Sequence, residues 1–239
     1  MAEKVGSVPL VGALIRGMRV IDALAEADGN WQSLTEISSR VGMYKSTTLR
    51  LLVSLEHMGY VERDDQTGKF RLGSKLLRLG HAVLTRLDVV KEAHPILERL
   101  CSTANEAVYL AIRQGTEILY VDRIQPNQAI RLTYEVGRRA PPHCNALGKA
   151  LLAFLPDHEL SELLRHLPLQ SFTPNTITDP LRFAEELAQV RKQGYALDHE
   201  EQEIGLCCVG APVRNWTSAV VAAISVAGPA FRMTPDRMK

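Results

Sequence analysis

The sequence predicts an α+β chain of two domains joined by a helix, and three observations carry that prediction. Three short segments of helical period precede residue 58 and are followed at once by a hairpin-like pair of extended runs. A leucine-rich helical stripe then runs from Gly73 to about Lys91. Beyond Ala93, β-like and helical segments alternate through the rest of the 239 residues. That length holds one large domain or two ordinary ones. The expected division is 1–73 for the N-terminal unit, 74–92 for a linker helix and 93–239 for the larger domain.

Each element follows from its pattern. From Leu14 to Asp28, the residues Leu14, Ile15, Met18, Val20, Ile21, Leu24 and Ala25 recur with helical period, and Asp28-Gly29-Asn30 ends the run. A second helix is expected from Ser33 or Leu34 to Arg40, with Leu34, Ile37 and Val41 inward and Gly42 as a left-handed cap. The third spans Lys45 to Met58. Its expected inward residues are Leu49, Leu52, Val53, Leu55 and Met58, with Lys45, Ser46, Thr47 and Arg50 on another face. Tyr60 to Arg63 and Lys69 to Leu72 are extended runs around the turn-rich Asp64 to Gly68. Three helices and such a hairpin make a winged helix-turn-helix. Leu76, Leu77, Leu79, Val83, Leu84 and Leu87 mark the linker helix. In the second domain a helix to Ser102 precedes strands at Val108 to Arg113, Ile118 to Ile124 and Ala129 to Tyr134. Helices at Gly148 to Phe154, Asp157 to Leu164 and Pro180 to Gln193 follow, then strands near Cys207 to Val213 and Ala219 to Val226.

Composition excludes more than it selects. An apolar fraction of 46% supports a real core, while 28 Lys+Arg against 27 Asp+Glu give no overall basic field. The longest apolar stretches fall well short of the ~20 residues of a membrane-spanning helix, and no basic-then-apolar leader opens the chain. A soluble, cytoplasmic protein without a membrane partner is expected. Cys101, Cys144, Cys207 and Cys208 lack Cys-x-x-Cys spacing and are too sparse for a disulfide framework, so reduced thiols are expected. No fixed-period repeat or low-complexity tract is present.

A helix-turn-helix presents its last helix to the DNA major groove, where the helix's first residues reach base edges and its free amides attract phosphate. Lys45, Ser46, Thr47 and Thr48 occupy that first turn and Arg50 the next; Arg63, Lys69 and Arg71 would charge the wing. From Met1 to Lys75 basic and acidic residues nearly balance, so DNA binding rests on placement rather than quantity. The competing reading is a small helical dimerisation module with a merely solvated polar face.

Across nearly the whole chain, from Leu14 to about Arg237, the sequence resembles the IclR family of bacterial regulators. The resemblance is carried by Arg16-Gly17-Met18-Arg19-Val20-Ile21, Tyr44-Lys45-Ser46-Thr47-Thr48-Leu49-Arg50-Leu51-Leu52 and Phe70-Arg71-Leu72-Gly73. It continues in Gly137-Arg138-Arg139-Ala140-Pro141, Ala146-Leu147-Gly148-Lys149-Ala150 and the most specific run, Gly194-Tyr195-Ala196-Leu197-Asp198-His199-Glu200-Glu201. It implies a transcription regulator that forms dimers or tetramers on palindromic double-stranded operators, with a GAF-like C-terminal domain that binds a small organic acid. By the same resemblance Ala146, Leu147, Asp198, Cys208 and Ser225 are the effector contacts. The chain departs from the family pattern at Leu49, where a His or Tyr is usual, and at Ala227, where the second Ser of a Ser-x-Ser pair is common. It also ends at Lys239, where a last helix is expected.

Amides around Ala146-Leu147-Gly148, near a helix start, suit a carboxylate. Asp198 then requires that it accept a ligand hydroxyl or carry a proton, because two anions repel. The bland alternative has Asp198 and Ser225 bonding local backbone. His143-Cys144 and His199 with Cys207-Cys208 suggest a metal site only weakly, since adjacent residues of a strand point to opposite faces. Cys144 has no distant base in view and reads as a packing thiol. Ala146-Leu147-Gly148-Lys149-Ala150 lacks the leading Gly and final Ser/Thr of a phosphate loop, and no dinucleotide or hydrolase motif is present. No metal, cofactor or catalytic residue is expected. Two other functions stay open: an enzyme built on the second domain, and a regulator that has lost its ligand.

Overall fold

The computed structural model describes residues 10–27, 30–84, 88–130 and 134–238. The chain divides into two compact units, Met1–Val83 and Leu84–Lys239.

In the first unit, α1 (Gly12–Ala25), α2 (Leu34–Val41) and α3 (Lys45–His57) pack around Val20, Leu24, Ile37, Val41 and Leu52, and β1 (Val61–Arg63) and β2 (Phe70–Leu72) pair antiparallel beside them. Gln32 bridges to Phe70, so the wing gains a third extended segment. Ser33 and Glu36 close α2 with a reciprocal capping box, which satisfies two amides that a helix start leaves open. Gly42 ends it at φ 67°, a conformation that costs a side-chain-bearing residue but not glycine. The α1 stripe splits: Val20, Ile21 and Leu24 enter the core, while Leu14, Ile15 and Met18 are exposed. The expected inward face of α3 needs correction. Leu49, Val53 and Met58 are exposed, and the residues facing the core are Thr48, Leu52 and, in part, Leu51 and Leu55. Thr48 fits there because its hydroxyl donates to the Tyr44 carbonyl at 3.1 Å, so no polar atom is left unpaired.

Helix α4 (Lys75–Leu84) follows, and α5 (Asp88–Ala104) runs past the expected 92/93 boundary as one helix with Pro95 inside it. Leu87 lies outside the described residues.

The second unit is a six-stranded antiparallel sheet, its strands being β3 (Ala107–Gln114), β4 (Glu117–Ile124), β5 (Arg139–Ala140), β6 (Ala196–His199), β7 (Leu206–Arg214) and β8 (Val220–Pro229), in the order β5-β4-β3-β8-β7-β6. One face, with Val108, Leu110, Cys207 and Val226, packs on Ala93, Leu97 and Cys101 of α5 and on Met233 and Met238. The other face, with Tyr109, Tyr120, Cys208 and Ala223, is covered by α6 (Ala146–Leu152), α7 (Asp157–His166) and α8 (Pro180–Gln193). Strand β6 and the two-residue β5 extend the sheet beyond the strands expected from the sequence. The strand expected at Ala129 to Tyr134 does not form in its described part: Ala129 and Ile130 make a bend and Tyr134 is irregular, while 131–133 lie outside the described residues. No helix among the described residues is long and apolar enough to cross a membrane.

Candidate functional site

Helix α3 begins at an N-cap, Tyr44, whose side chain makes no cap bond and is 87% exposed. Lys45, Ser46 and Arg50 are exposed beside it and Thr47 is half-buried. These side chains share the open start of a helix, as DNA reading requires. Thr48 does not belong with them. It is fully buried, and its placement on the DNA face is corrected to a core position. On the wing, Arg63 and Lys69 are exposed, with the Arg63 guanidinium over the Phe70 ring at 5.5 Å. Arg71 is engaged within the unit: it donates twice to Glu62 Oε2, at 3.0 and 2.9 Å, and stacks over Trp31 at 4.4 Å. Its charge is answered locally. Tyr44, exposed at the same helix start, was not singled out from the sequence, although a large aromatic immediately before a polar helix start was a visible signal.

In the second unit, the strand register gathers the other set. Asp198 pairs with Cys208 across β6 and β7, Cys208 with Ala227 across β7 and β8, and Ser225 with Tyr109 across β8 and β3. Paired residues of adjacent strands share a face, so these side chains point toward α6. Asn145 caps that helix by accepting from the Gly148 amide at 2.8 Å. A Cβ on Gly148 would stand 2.2 Å from the Pro142 backbone, so only glycine lets α6 sit this close to the short 3-10 turn Pro142–Cys144. Ala146, Leu147, Asp198, Cys208 and Ser225 therefore line one cavity, together with Tyr109, Tyr120, Tyr134, Gln202 and Ala227. The space open to the centre of a water molecule is about 10 Å³, enough for about one water.

The lining of this cavity is mostly apolar, with a few polar groups set into it. Three tyrosine rings meet edge-on or tilted at centroid distances of 5.6, 5.8 and 5.5 Å, and the Tyr134 hydroxyl is buried without a hydrogen-bond partner. Burial pushes the Tyr134 phenol up, against the opposing pull of the Arg138 guanidinium. Asp198 is 1% exposed and accepts from the Glu201 amide at 2.9 Å. Burial, with the Glu201 carboxylate adding to it, raises its carboxyl to about 7, although the Glu201 amide bond and Lys149 pull the other way. The Cys208 thiol is driven well up by burial and by Asp198. Behind the wall, Lys149 of α6 is buried between Glu201 at 2.7 Å and Glu186 at 2.9 Å. Sequence reasoning missed the tyrosines, and Lys149, which it placed at a helix edge, is instead buried. Alternation along β3 puts Tyr109 on an inward face, but only the sheet order brings Tyr120 beside it.

The remaining candidates are placed plainly. Cys207 and Cys208 enter opposite cores, and no group of three or more His, Cys, Asp or Glu among the described residues is arranged to hold a metal ion. Cys144 is fully buried, its thiol pushed up to about 12 chiefly by desolvation, which makes it a packing group rather than a nucleophile. His143 is buried with Nε2 at 2.9 Å from the Gln170 carbonyl, and burial lowers its basicity.

The model described as "Bacterial transcriptional regulator IclR C-terminal" matches residues 81–239, and that described as "IclR helix-turn-helix domain" matches residues 13–65. The chain belongs to the IclR family of bacterial transcriptional regulators. Among its relatives, the HTH-type transcriptional regulator BhcR of Paracoccus denitrificans is 37% identical over 228 residues, covering 95% of this chain and 81% of the relative. The structure of the Thermotoga maritima IclR superposes with a TM-score of 0.80 at 33% identity, covering 94% of this chain and 90% of that one. An IclR homolog from Microbacterium hydrocarbonoxydans, complexed with 4-hydroxybenzoate, superposes with a TM-score of 0.82 at 27% identity, covering 95% and 93%. As an IclR-family member, the chain is a helix-turn-helix transcriptional regulator of α+β architecture.

Proposed function

We propose that this chain controls transcription by binding a small carboxylic acid in the C-terminal cavity and changing its affinity for a palindromic operator, acting by binding rather than by turnover. The observation that carries the reading is the convergence of Ser225, Asp198, Cys208 and the Ala146-Leu147 turn, from four different elements, on one enclosed cavity. Asp198 also bonds the local Glu201 amide, but the Tyr134 hydroxyl on the same cavity is buried without a partner, which local bonding does not account for. The homolog holding 4-hydroxybenzoate supports a carboxylic acid as the class. Because the cavity is nearly closed, an acid enters by opening it. Coupling to DNA then equals the ligand's preference for one conformation over the other, ~1–3 kcal/mol in ordinary cases.

DNA contact is assigned to Lys45, Ser46, Thr47 and Arg50, with Arg63 and Lys69 on the wing. Arg71 contributes by holding the wing rather than by free charge. Two copies are needed for a palindrome, and exposed Leu14, Ile15, Met18, Leu77 and Leu79 offer the apolar surface for them.

The test is a thermal-shift screen of keto, hydroxy and aromatic acids on the full chain, followed by operator titration with and without the best acid. A true effector raises the melting temperature by mass action, loses affinity in Ser225→Ala without unfolding the domain, and shifts operator binding about 5- to 150-fold. Equal affinity for wild type, Ser225→Ala and Asp198→Asn would move the ligand site elsewhere.

A further inference from the structure

A buried carboxylate is tolerated when a cation answers it, and otherwise takes up a proton. The second unit buries one ammonium behind the cavity wall, that of Lys149, and commits it to two other carboxylates, Glu201 and Glu186. Burial works to lower the Lys149 pKa, but the two glutamates outweigh it and keep the ammonium charged. Asp198, 1% exposed, has no ion-pair partner among the described residues and stands next to Glu201 instead. The Glu201 turn is also fixed in place. Its carbonyl accepts from Thr176 Oγ1 at 2.6 Å, and the preceding Glu200 carbonyl accepts from Thr173 Oγ1 at 2.7 Å.

We infer that Glu201 is a positioning residue that, with burial and with Lys149 committed to Glu201 and Glu186, keeps Asp198 un-ionised, so that the cavity offers its ligand a carboxyl proton donor and takes an acid through a carboxylate or keto oxygen rather than through a hydroxyl. This deepens the proposed function and rests on the ligand occupying that cavity. The Glu201 amide and the Cys208 thiol both bond the Asp198 carboxyl and favour its ionised form, so burial and the neighbouring Glu201 charge are what oppose them. The remaining titratable groups around it add no charge. Cys208 from β7, Cys144 from the 3-10 turn and Tyr134 from the β4–β5 connection are all pushed up by burial and stay neutral. The Tyr109 and Tyr120 phenols on β3 and β4 are raised likewise, and Cys207, on the opposite face, is raised by burial and Asp198. Charge near Asp198 is thus set by Lys149, Glu201 and Glu186, and an acid bound as its anion meets a neutral partner.

The experiment has a ligand-free and a ligand-bound arm, both on the full chain. Infrared difference spectra across pH should show a protonated-carboxyl band at neutral pH that Asp198→Asn abolishes. In Glu201→Gln, which keeps an oxygen for Lys149 but removes the neighbouring charge, the midpoint of that band should fall to lower pH while the melting curve stays cooperative. Absence of the band in wild type, or an unmoved midpoint in folded Glu201→Gln, overturns the inference. For 4-hydroxybenzoate and pyruvate as probes, affinity should fall about tenfold per pH unit above the midpoint. An affinity that rises with pH overturns it too, since that is the sign for an ionised Asp198 accepting a hydroxyl. If the band behaves as expected while no acid binds, the proton state stands and the acid-binding reading fails.

Discussion

Ionising Asp198 in the folded chain means charging a carboxyl that is buried beside Glu201, and that cost appears in stability as well as in binding. Its folded value, raised to about 7, lies above the ordinary carboxyl value near 4. A group raised on folding contributes stability that is complete below its unfolded pKa and is lost as pH rises through the folded one. The window is therefore pH 4 to 7, and the loss is up to roughly 4 kcal/mol. Asn at this position keeps the oxygen that accepts from Glu201 but cannot ionise. Urea midpoints at pH 5 and pH 8 should show Asp198→Asn gaining on wild type as pH rises. A constant difference between the two proteins would mean that Asp198 is charged throughout. The same separation of roles applies on α3. Arg50→Ala should cost ~1–3 kcal/mol of operator affinity and relax one base pair if Arg50 reads a guanine, whereas loss of a phosphate contact weakens all sequences together. Thr48→Ala removes a buried hydroxyl bonded to the Tyr44 carbonyl, so it should lower stability by about 1 kcal/mol and leave operator sequence preference intact. Competition titrations against single-base operator variants, beside thermal melts, distinguish the two outcomes.

At the scale of elements, what the sequence made legible was what local pattern controls. Gly42 as the cap of α2, the hairpin after Gly59 and α8 from Pro180 to Gln193 follow from turn chemistry and period, and each forms where expected. The face of α3 did not follow, because a period fixes which residues share a side but not which side meets the core. Thr48 could go inward only because its hydroxyl returns to the backbone, a contact invisible in a count of apolar residues. β5 and β6 escaped because two- and four-residue strands carry little periodicity, and the β4–β5 connection looked extended because its residues are β-branched and aromatic. In the cavity, the family motifs pointed to Asp198 and Ser225, whereas the tyrosine cluster depends on sheet order. α6 shows how tightly such an element can depend on one position. An alanine at Gly148 puts a methyl group 2.2 Å from the Pro142 backbone, so α6 or the turn beneath it must move. Overpacking of this kind costs ~1–3 kcal/mol or more. Gly148→Ala should lower the melting temperature and weaken acid binding together, and a variant with wild-type melting and binding would show that α6 has room the geometry denies.

On the proposed function the whole molecule presents two recognition helices to a two-fold operator, and the first unit leaves an apolar surface suited to that need. Leu14 is 65% exposed, Met18 51% and Leu77 79%, on helices whose other faces are packed. One such residue needs no explanation, but Leu14, Ile15 and Met18 on consecutive turns of α1, with Leu10 just before it, form a stripe of the kind that marks an interface. Burial of the stripe against a second copy is the reading that also supplies operator symmetry. Light scattering on the full chain at micromolar concentration should therefore give at least twice the 26.5 kDa of one copy. Replacing Leu14 and Ile15 together by serine removes apolar contact without touching Val20, Ile21 or Leu24, so the helical core should keep its circular dichroism. The dissociation midpoint should then rise by tenfold or more, since two lost aliphatic contacts at each of two symmetric positions exceed the ~1.4 kcal/mol that a factor of ten requires. Operator affinity should fall with it and recover at high protein concentration, because each half-site still finds an intact recognition helix. If the double variant remains fully associated, the stripe on α1 is not the interface. If it dissociates while binding the full palindrome with unchanged affinity, the two half-sites are being read independently, and the symmetry argument fails at the operator rather than at the interface.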